Sequence, residues 1–144
     1  MTEHKPAPYL ASVGGWSQLL DLRFVSVTED EIIAESSISA KHHQPMGIVH
    51  GGVYCSIVET VCSLGAALRA SKHGLSVLGL ENQTSFLKAT RSGVLQAVGK
   101  PIVAGRRTQL WEANIYSEDR TLVATGRLRL LCTGDSAGLG KSGA

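Results

Sequence analysis

Glu59 is the side chain whose setting most clearly indicates chemistry. It is the only charged residue in the apolar run GGVYCSIVETVCSLGAAL, residues 51 to 68. A carboxylate in an apolar helix is costly to bury unless it is paired, protonated or used in a reaction. The segment directly upstream, HHQPMGIVHGG at 42 to 52, is a glycine-rich turn with polar side chains. Together the two segments suggest a catalytic carboxylate that faces a backbone site for an anion.

The glycine at position 51 is suited to stabilising an oxyanion. Backbone N–H groups at a helix start lack intrahelical acceptors and lie at the positive end of the helix dipole. Gly51 would let a substrate approach the backbone closely, and loss of one such donor costs on the order of 3 kcal/mol in activation free energy. The alternative is that Gly51 and Gly52 only permit a tight turn and close packing.

The elements that must position these groups are two strands, one long helix and four further strands. A helix that is apolar on nearly every side must be covered on nearly every side, and the economical solution is an antiparallel sheet curled around it. The sequence therefore predicts an α+β fold. The pattern places a short helix or turn at 16–20, strands at 21–27 and 32–38, the helix from 51 to about 70, and strands at about 76–87, 94–102, 106–116 and 122–132.

The length of 144 residues fits one domain. We expect a flexible leader at 1–14, a single domain at 15–133 and a disordered tail at 134–144. Six strands in a curved sheet leave exposed edges, and pairing two subunits edge to edge would hide them. A homodimer is therefore expected on physical grounds.

Composition excludes several classes of partner. The net charge of +2 and the few aromatic residues argue against a nucleic-acid surface. The apolar run that holds Glu59 is short and interrupted by Ser56 and Ser63, which argues against a membrane span. The N-terminus lacks the pattern of a signal peptide, and the odd count of three cysteines argues against a disulfide framework. These features favour a cytoplasmic protein.

A known family combines these elements. His50-Gly51-Gly52 is followed by an acidic residue nine positions after the histidine, Glu59, and Gln44 lies upstream. This segment and the strand order resemble the hotdog-fold thioesterases over about residues 20 to 132. The resemblance is to the phenylacetate-degradation type, which is related to the 4-hydroxybenzoyl-CoA thioesterases that use a helix glutamate.

The resemblance implies an acyl-CoA thioesterase whose active site is built from two chains. Glu59 would face the loop and helix start of the partner subunit, acting as nucleophile or as general base on water; these two roles stay open. Gln44 would polarise the thioester carbonyl or place water, and Ser63 would hold the water or the carboxylate. His50 belongs to the motif, with loop architecture and proton transfer both open. A tetramer made of two dimers is also expected.

Basic residues at strand ends and turns are candidates for binding coenzyme A. Its phosphates suit arginine and lysine side chains, and the alternative is a solvated charged edge. Adjacent strand residues point to opposite faces, so we expect only one of Arg106 and Arg107 to face the ligand. Asn82, Thr84 and Phe86 share one face of their strand, which would line the acyl channel or the dimer interface. The candidates for contact with the substrate or CoA are Lys88, Arg91, Arg106, Arg107 and Asn82.

Other functions are weaker fits to the sequence. His42, His43 and His50 share no metal-ligand spacing, so we expect no metal, and no cofactor apart from the CoA of the substrate. A hotdog hydratase or dehydratase would use a different Asp/His pair. A non-catalytic acyl-CoA binder would keep the basic edge but would not need Glu59.

Overall fold

The structure is a computed structural model that describes residues 15–134. The predicted leader at 1–14, and the tail apart from residue 134, lie outside the described residues. The elements are α1 (Trp16–Leu19), β1 (Leu22–Val27), β2 (Ile32–Ile38), a 3₁₀ turn (Ala40–His42), α2 (Gly51–Ser71), β3 (Ser76–Phe86), β4 (Gly93–Ala104), β5 (Thr108–Tyr116) and β6 (Leu122–Thr133).

All six strands form one antiparallel sheet in the order β1-β2-β4-β5-β6-β3. The sheet curves around α2, so the predicted fold is confirmed. Strand β3 follows α2 in the chain but pairs only with β6, which makes it an edge of the sheet within this chain. The strand directly after the helix therefore combines a long free edge with a face that packs against α2.

Strand β5 and helix α2 meet at the centre of the core. Trp111 is fully buried, and a β-carbon at Gly65 would overlap its ring, so glycine lets the helix approach the sheet there. The Trp111 Nε1–H donates to Gln109 Oε1 at 2.8 Å, and Gln109 Nε2 donates to the carbonyl of Ala66 at 3.0 Å. These bonds satisfy the buried polar atoms and fix the position of α2 along the sheet.

The sheet covers only part of the helix. Val58, Val61 and Cys62 are buried, whereas a stripe that includes Cys55, Glu59 and Ser63 stays half-exposed. By length and composition α2 could span a membrane, but half of its apolar window is buried inside the domain, as in the core helix of this fold. The half-exposed stripe of α2 is the face that carries the candidate catalytic carboxylate.

One prediction about local structure was wrong. Strand β5 begins at Thr108 and β4 ends at Ala104, so Arg106 and Arg107 lie in the turn between them and not in a strand. The alternation of strand side chains therefore does not separate these two arginines. Residues 40–42 form a 3₁₀ turn whose capping box joins Ser39 and His42: the Ser39 N–H donates to His42 Nδ1 at 3.0 Å.

Candidate active site

The loop from 42 to 50 leads directly into the start of α2. It is fixed at both ends, because the His50 N–H donates to the carbonyl of His42 at 2.9 Å and the Val49 N–H donates to the carbonyl of Thr90 at 2.8 Å. His42 is buried, and its Nε2 lies 2.9 Å from the carbonyl of Leu19. His42 therefore has an architectural role that sequence reasoning missed, although the Ser39-x-x-His42 spacing of the capping box was a usable signal.

His50 caps helix α2. Its Nδ1 accepts a hydrogen bond from the Gly52 N–H at 2.8 Å, and its carbonyl accepts one from Val53 at 2.9 Å. Among the hydrogen bonds of residues 15–134, none uses the Gly51 N–H. The cap thus satisfies the neighbouring donors and leaves the N–H of Gly51 available at the positive end of the helix dipole.

Gln44 holds its amide within the same loop. Its Oε1 accepts a hydrogen bond from the Met46 N–H, and no described residue accepts a hydrogen bond from its Nε2. The Gly47 N–H donates to the Gln44 carbonyl at 2.9 Å, and Gly47 has φ of 72°, which favours glycine at this turn. Gln44 therefore presents a donor from a tight turn close in sequence to the helix start.

Arg91 holds this turn from outside. Its Nη1 donates to the carbonyls of Met46 and Gly47 at 3.1 and 3.2 Å, and its own carbonyl lies 2.6 Å from His43 Nε2. The structure therefore places the Arg91 guanidinium on the Gln44 loop. This contact identifies an architectural role for Arg91 in addition to the predicted contact with CoA.

Glu59 is paired with a residue of β3. Asn82 Nδ2 donates to Glu59 Oε2 at 3.1 Å and to the carbonyl of Cys55 at 3.0 Å, while Thr84 Oγ1 donates to Asn82 Oδ1 at 2.7 Å. Sequence reasoning placed Asn82 near the substrate but missed its bond to Glu59. The available signal for this bond was the alternation of Asn82 and Thr84, two polar residues on the strand face towards the apolar helix.

Space for the Glu59 carboxylate is provided by a glycine. A β-carbon at Gly79 would lie 2.7 Å from Glu59 Oε1, so any other residue there would press on the carboxylate. The pairing of β3 with β6 shifts between Gly79 and Glu81, which marks a bulge. This local irregularity positions the strand next to the carboxylate and could not be predicted from the strand pattern.

Ser63 lies one turn beyond Glu59 on the same helix face. The Ser56 and Thr60 hydroxyls donate to carbonyls four residues back at 2.7 and 2.8 Å, but the Ser63 hydroxyl makes no hydrogen bond with the other described residues. Its hydroxyl is therefore available for a ligand. Cys62 does not compete as a nucleophile, because burial and then the charges of Glu59 and Glu112 raise the pKa of its thiol.

Phe86 lines the helix start. A β-carbon at Gly51 would lie 2.5 Å from the Phe86 ring, and the Tyr54 ring centre lies 5.9 Å from that of Phe86. Phe86 is 56% exposed, whereas Tyr54 is buried, and this burial raises the pKa of the Tyr54 phenol. The two rings form an aromatic wall beside Gly51. Sequence reasoning placed Phe86 on the strand face that would line the acyl channel or the dimer interface, but not among the residues that contact the substrate or CoA.

The candidate basic residues fall into two groups at opposite ends of α2. Lys88 and Arg91 follow β3 and lie near the helix start, as the bond from Val49 to Thr90 shows. Arg106 lines a pocket of about 240 Å³ together with Arg69 and His73 at the end of the helix; Arg107 is not in that lining. A helix of 21 residues is about 32 Å long, so the two groups are well separated within one chain.

The site of one chain consists of two separate halves. One half is the Gln44 loop with the Gly51 N–H, and the other is Glu59 with Asn82 and Thr84. Gly51 and Glu59 are eight residues apart in one continuous helix, a separation of about 12 Å along its axis. Among residues 15–134, no group of three or more His, Cys, Asp and Glu side chains is placed to hold a metal ion.

A long helix wrapped by a six-stranded antiparallel sheet is the hotdog fold, and the carboxylate and capped helix start are the groups that its thioesterases would need. Residues 46–124 match the family model of the thioesterase superfamily. The chain belongs to the thioesterase superfamily and is a thioester hydrolase.

Individual relatives agree with this assignment. The chain is 36% identical to the protein Rv1847 of Mycobacterium tuberculosis over 127 residues, which cover 87% of this chain and 90% of the relative. It is 31% identical to a 1,4-dihydroxy-2-naphthoyl-CoA hydrolase of Listeria monocytogenes over 113 residues, 78% of this chain and 91% of the relative. The crystal structure of the Haemophilus influenzae thioesterase HI1161 superposes with a TM-score of 0.79 at 32% identity, covering 86% of this chain and 85% of that one.

Proposed function

We propose that the protein hydrolyses an acyl-CoA to the free acid and CoA, with Glu59 as the catalytic carboxylate and the Gly51 N–H as the oxyanion donor. Attack on the thioester carbon makes its oxygen an oxyanion, which the N–H stabilises until the C–S bond breaks and the thiolate leaves. Glu59 either removes the proton from the attacking water or attacks directly to form an anhydride that water then cleaves. Gln44 Nε2 and the Ser63 hydroxyl orient the carbonyl and the water.

The observation that carries this proposal is the distribution of hydrogen bonds at the helix start. His50 occupies the Gly52 N–H, and no described residue accepts from the Gly51 N–H. A donor that is held in place but unused in the protein can stabilise a charge that develops only during the reaction. Direct proton transfer by His50 is not part of the proposal, because its Nδ1 is engaged in the cap.

A homodimer would complete the site. Strand β3 is an unpaired edge of 11 residues, and Leu78, Leu80 and Phe86 on it are 43%, 52% and 56% exposed. Such an edge pairs readily with a second copy. The half-exposed stripe of α2 that holds Glu59 flanks this edge, so two copies joined through β3 would bring Glu59 of one chain towards the Gly51 of the other.

Two classes of evidence favour CoA as the thiol carrier. The Listeria relative is named as a CoA thioester hydrolase. In addition, Lys88 is an exposed cation two residues after Phe86, whose ring lies beside Gly51. We propose that Lys88 and Arg91 bind CoA phosphates at this end, and that Arg106 and Arg107, at the other end of α2, contribute less.

Release of free thiol from a panel of aryl-, short- and long-chain acyl-CoAs tests the function directly. For the best acyl group, we expect Lys88→Ala to raise KM about tenfold, the effect of losing one charge-assisted hydrogen bond. The matching acyl-N-acetylcysteamine thioester, which lacks the phosphates, should show no such change. Arg106→Ala is the comparison variant, and we expect it to raise KM by less than Lys88→Ala does. No release from any acyl-CoA by the wild type would overturn the proposed function.

Complementation between two inactive variants tests the two-chain site. Glu59→Gln removes one half of the site and Gly51→Pro removes the other. If each site combines both chains, every mixed dimer has one intact site out of two. With random association about half of the dimers are mixed, so the mixture regains roughly a quarter of the wild-type activity. We expect this recovery when the variants are co-expressed with different tags, measured as thiol release. If the mixture stays as inactive as the separate variants, each site lies within one chain.

The same acyl-CoAs and the Glu59→Gln variant distinguish a thioesterase from two other possible functions. A hydratase or dehydratase would change the acyl chain and release no thiol. A non-catalytic binder would bind CoA ligands equally well in the wild type and in Glu59→Gln, with no turnover in either. The phenylacetate-degradation subtype, the tetramer and the cytoplasmic location stay predictions.

A further inference from the structure

Asn82 is bonded on three sides in a way that fixes the Glu59 carboxylate. Its Nδ2 carries two hydrogens, and the structure supplies two acceptors: Glu59 Oε2 at 3.1 Å and the carbonyl of Cys55 at 3.0 Å. Its Oδ1 accepts from the Thr84 hydroxyl at 2.7 Å. Every polar atom of the Asn82 side chain is therefore used, and its acceptor atom is turned away from Glu59.

The orientation of the Asn82 amide follows from chemistry. A reversed amide would direct Oδ1 at a carboxylate and a carbonyl, both of which can only accept hydrogen bonds. It would also place Nδ2 on the Thr84 hydroxyl and leave Glu59 without a donor. The Cys55 carbonyl and the Glu59 carboxylate therefore select the orientation in which Asn82 donates to Glu59, and the Thr84 hydroxyl, which can donate or accept, donates to Asn82 Oδ1 in that orientation.

The position of Thr84 is itself secured by a glycine on the neighbouring strand. A β-carbon at Gly126 would lie 2.6 Å from Thr84 Oγ1 and 3.0 Å from the methyl groups of Val58. Gly126 is paired with Thr84 in the β3–β6 register. The missing side chain gives the Thr84 hydroxyl the space in which it reaches Asn82.

The two carboxylate oxygens of Glu59 have different surroundings. Oε2 accepts from Asn82, whereas no hydrogen bond between described residues reaches Oε1. Oε1 lies beside Gly79, where a β-carbon would approach it to 2.7 Å. Glu59 is thus held by one oxygen, and its second oxygen, beside Gly79 of the edge strand, accepts no hydrogen bond from a described residue.

We propose that Asn82 and Thr84 are positioning residues that hold Glu59 by Oε2, so that Glu59 reacts through Oε1. This inference rests on the proposed function of Glu59 and applies to either chemical route, because attack and proton removal both need one free carboxylate oxygen. A carboxylate held by one oxygen loses less rotational freedom on reaching the reactive geometry. Neither residue touches the reacting atoms in this scheme.

The test compares kcat and KM for thiol release by variants along this chain of contacts. We expect Asn82→Ala to lower kcat about tenfold to a hundredfold with little change in KM, the range for a hydrogen bond to a charged group. Thr84→Val should lower kcat roughly threefold to tenfold, and Thr84→Ser, which keeps the hydroxyl, should restore it. Gln83→Ala, on the opposite face of β3, is the matched control with unchanged kcat.

A double variant separates positioning from general damage. If Thr84 acts through Asn82, then Thr84→Val adds no further loss of kcat in an Asn82→Ala background. Additive losses, or an Asn82→Ala variant with wild-type kcat, would overturn the inference while leaving the proposed function intact. The inference would also be overturned if the loss of kcat in Asn82→Ala came with a matching drop in the thermal unfolding midpoint and if Thr84→Ser failed to restore the kcat lost in Thr84→Val.

Gly79 gives an independent test of Oε1. Gly79→Ala leaves Asn82 and Thr84 unchanged but adds a methyl group where the free oxygen lies. We expect a fall in kcat of at least about tenfold, because a displacement of about 1 Å at a reacting group can cost up to a hundredfold. An unchanged kcat in Gly79→Ala would show that Oε1 is not the reacting oxygen.

Discussion

Replacing Glu59 with glutamine is expected to lower kcat for thioester hydrolysis at least about a hundredfold, as the loss of a catalytic acid–base group or nucleophile predicts. Glutamine has nearly the same shape, and its amide oxygen can still accept from Asn82 Nδ2. The substitution thus keeps the contact that holds the side chain and removes only the reactive oxygen. Release of CoA thiol measures the rate, and binding of a non-hydrolysable acyl-CoA thioether should be unchanged.

The control for Glu59→Gln is a carboxylate elsewhere on the site strand. Glu81 lies on β3 and is exposed, with its Oε1 at 4.0 Å from the Arg129 Nη2. Glu81→Gln removes the same charge without touching α2 and should keep wild-type kcat. Equal rates for the wild type and Glu59→Gln would remove Glu59 from the chemistry and favour a binder or a hydratase.

Replacing Gly51 with proline is expected to lower kcat about a hundredfold to a thousandfold relative to Gly51→Ala, the cost of losing one oxyanion donor. Proline is favoured at the first position of a helix, and the preceding His50 has φ of −64° and ψ of 136°, which suits a following proline. Since no described residue accepts from the Gly51 N–H, the folded protein loses no hydrogen bond. Rates of thiol release at saturating acyl-CoA give the comparison.

Gly51→Ala is needed because both variants add a β-carbon near Phe86. That carbon would lie 2.5 Å from the Phe86 ring, which is exposed enough to move. The alanine variant reports the cost of this contact, and the further loss in the proline variant reports the missing N–H. If alanine and proline reduce kcat equally, the Gly51 N–H is not the oxyanion donor and the glycine serves only to admit Phe86.

Much of the fold could be predicted because each element has a local signal. Strand β2 was predicted with its observed bounds, and the helix start at Gly51 was predicted from the glycine-rich turn. The β4–β5 turn was predicted too short, because arginine is not a typical turn residue and nothing at positions 106 and 107 signals that the turn continues. The pairing of β3 with β6 depends on contacts between distant parts of the chain, and the periodicity of the sequence gives no information about such contacts.

The candidate site was predicted in its residue types but not in its contacts. Glu59 was identified as a lone charge in an apolar helix, and the structure places it in such a helix. Its bond to Asn82 joins residues 23 apart in the sequence, and the choice of Asn82 depends on the bulge after Gly79. A bulge changes which side chains face the helix, and alternation alone cannot place it.

The free edge at β3 has a consequence for how the enzyme would respond to dilution. If each site needs Glu59 from one copy and Gly51 from another, a separated chain has no complete site, and specific activity falls as the protein concentration drops below the dissociation constant of the pair. A substrate that contacts both copies binds only the associated form. By mass action it then tightens the association, so subunit exchange should slow as substrate concentration rises.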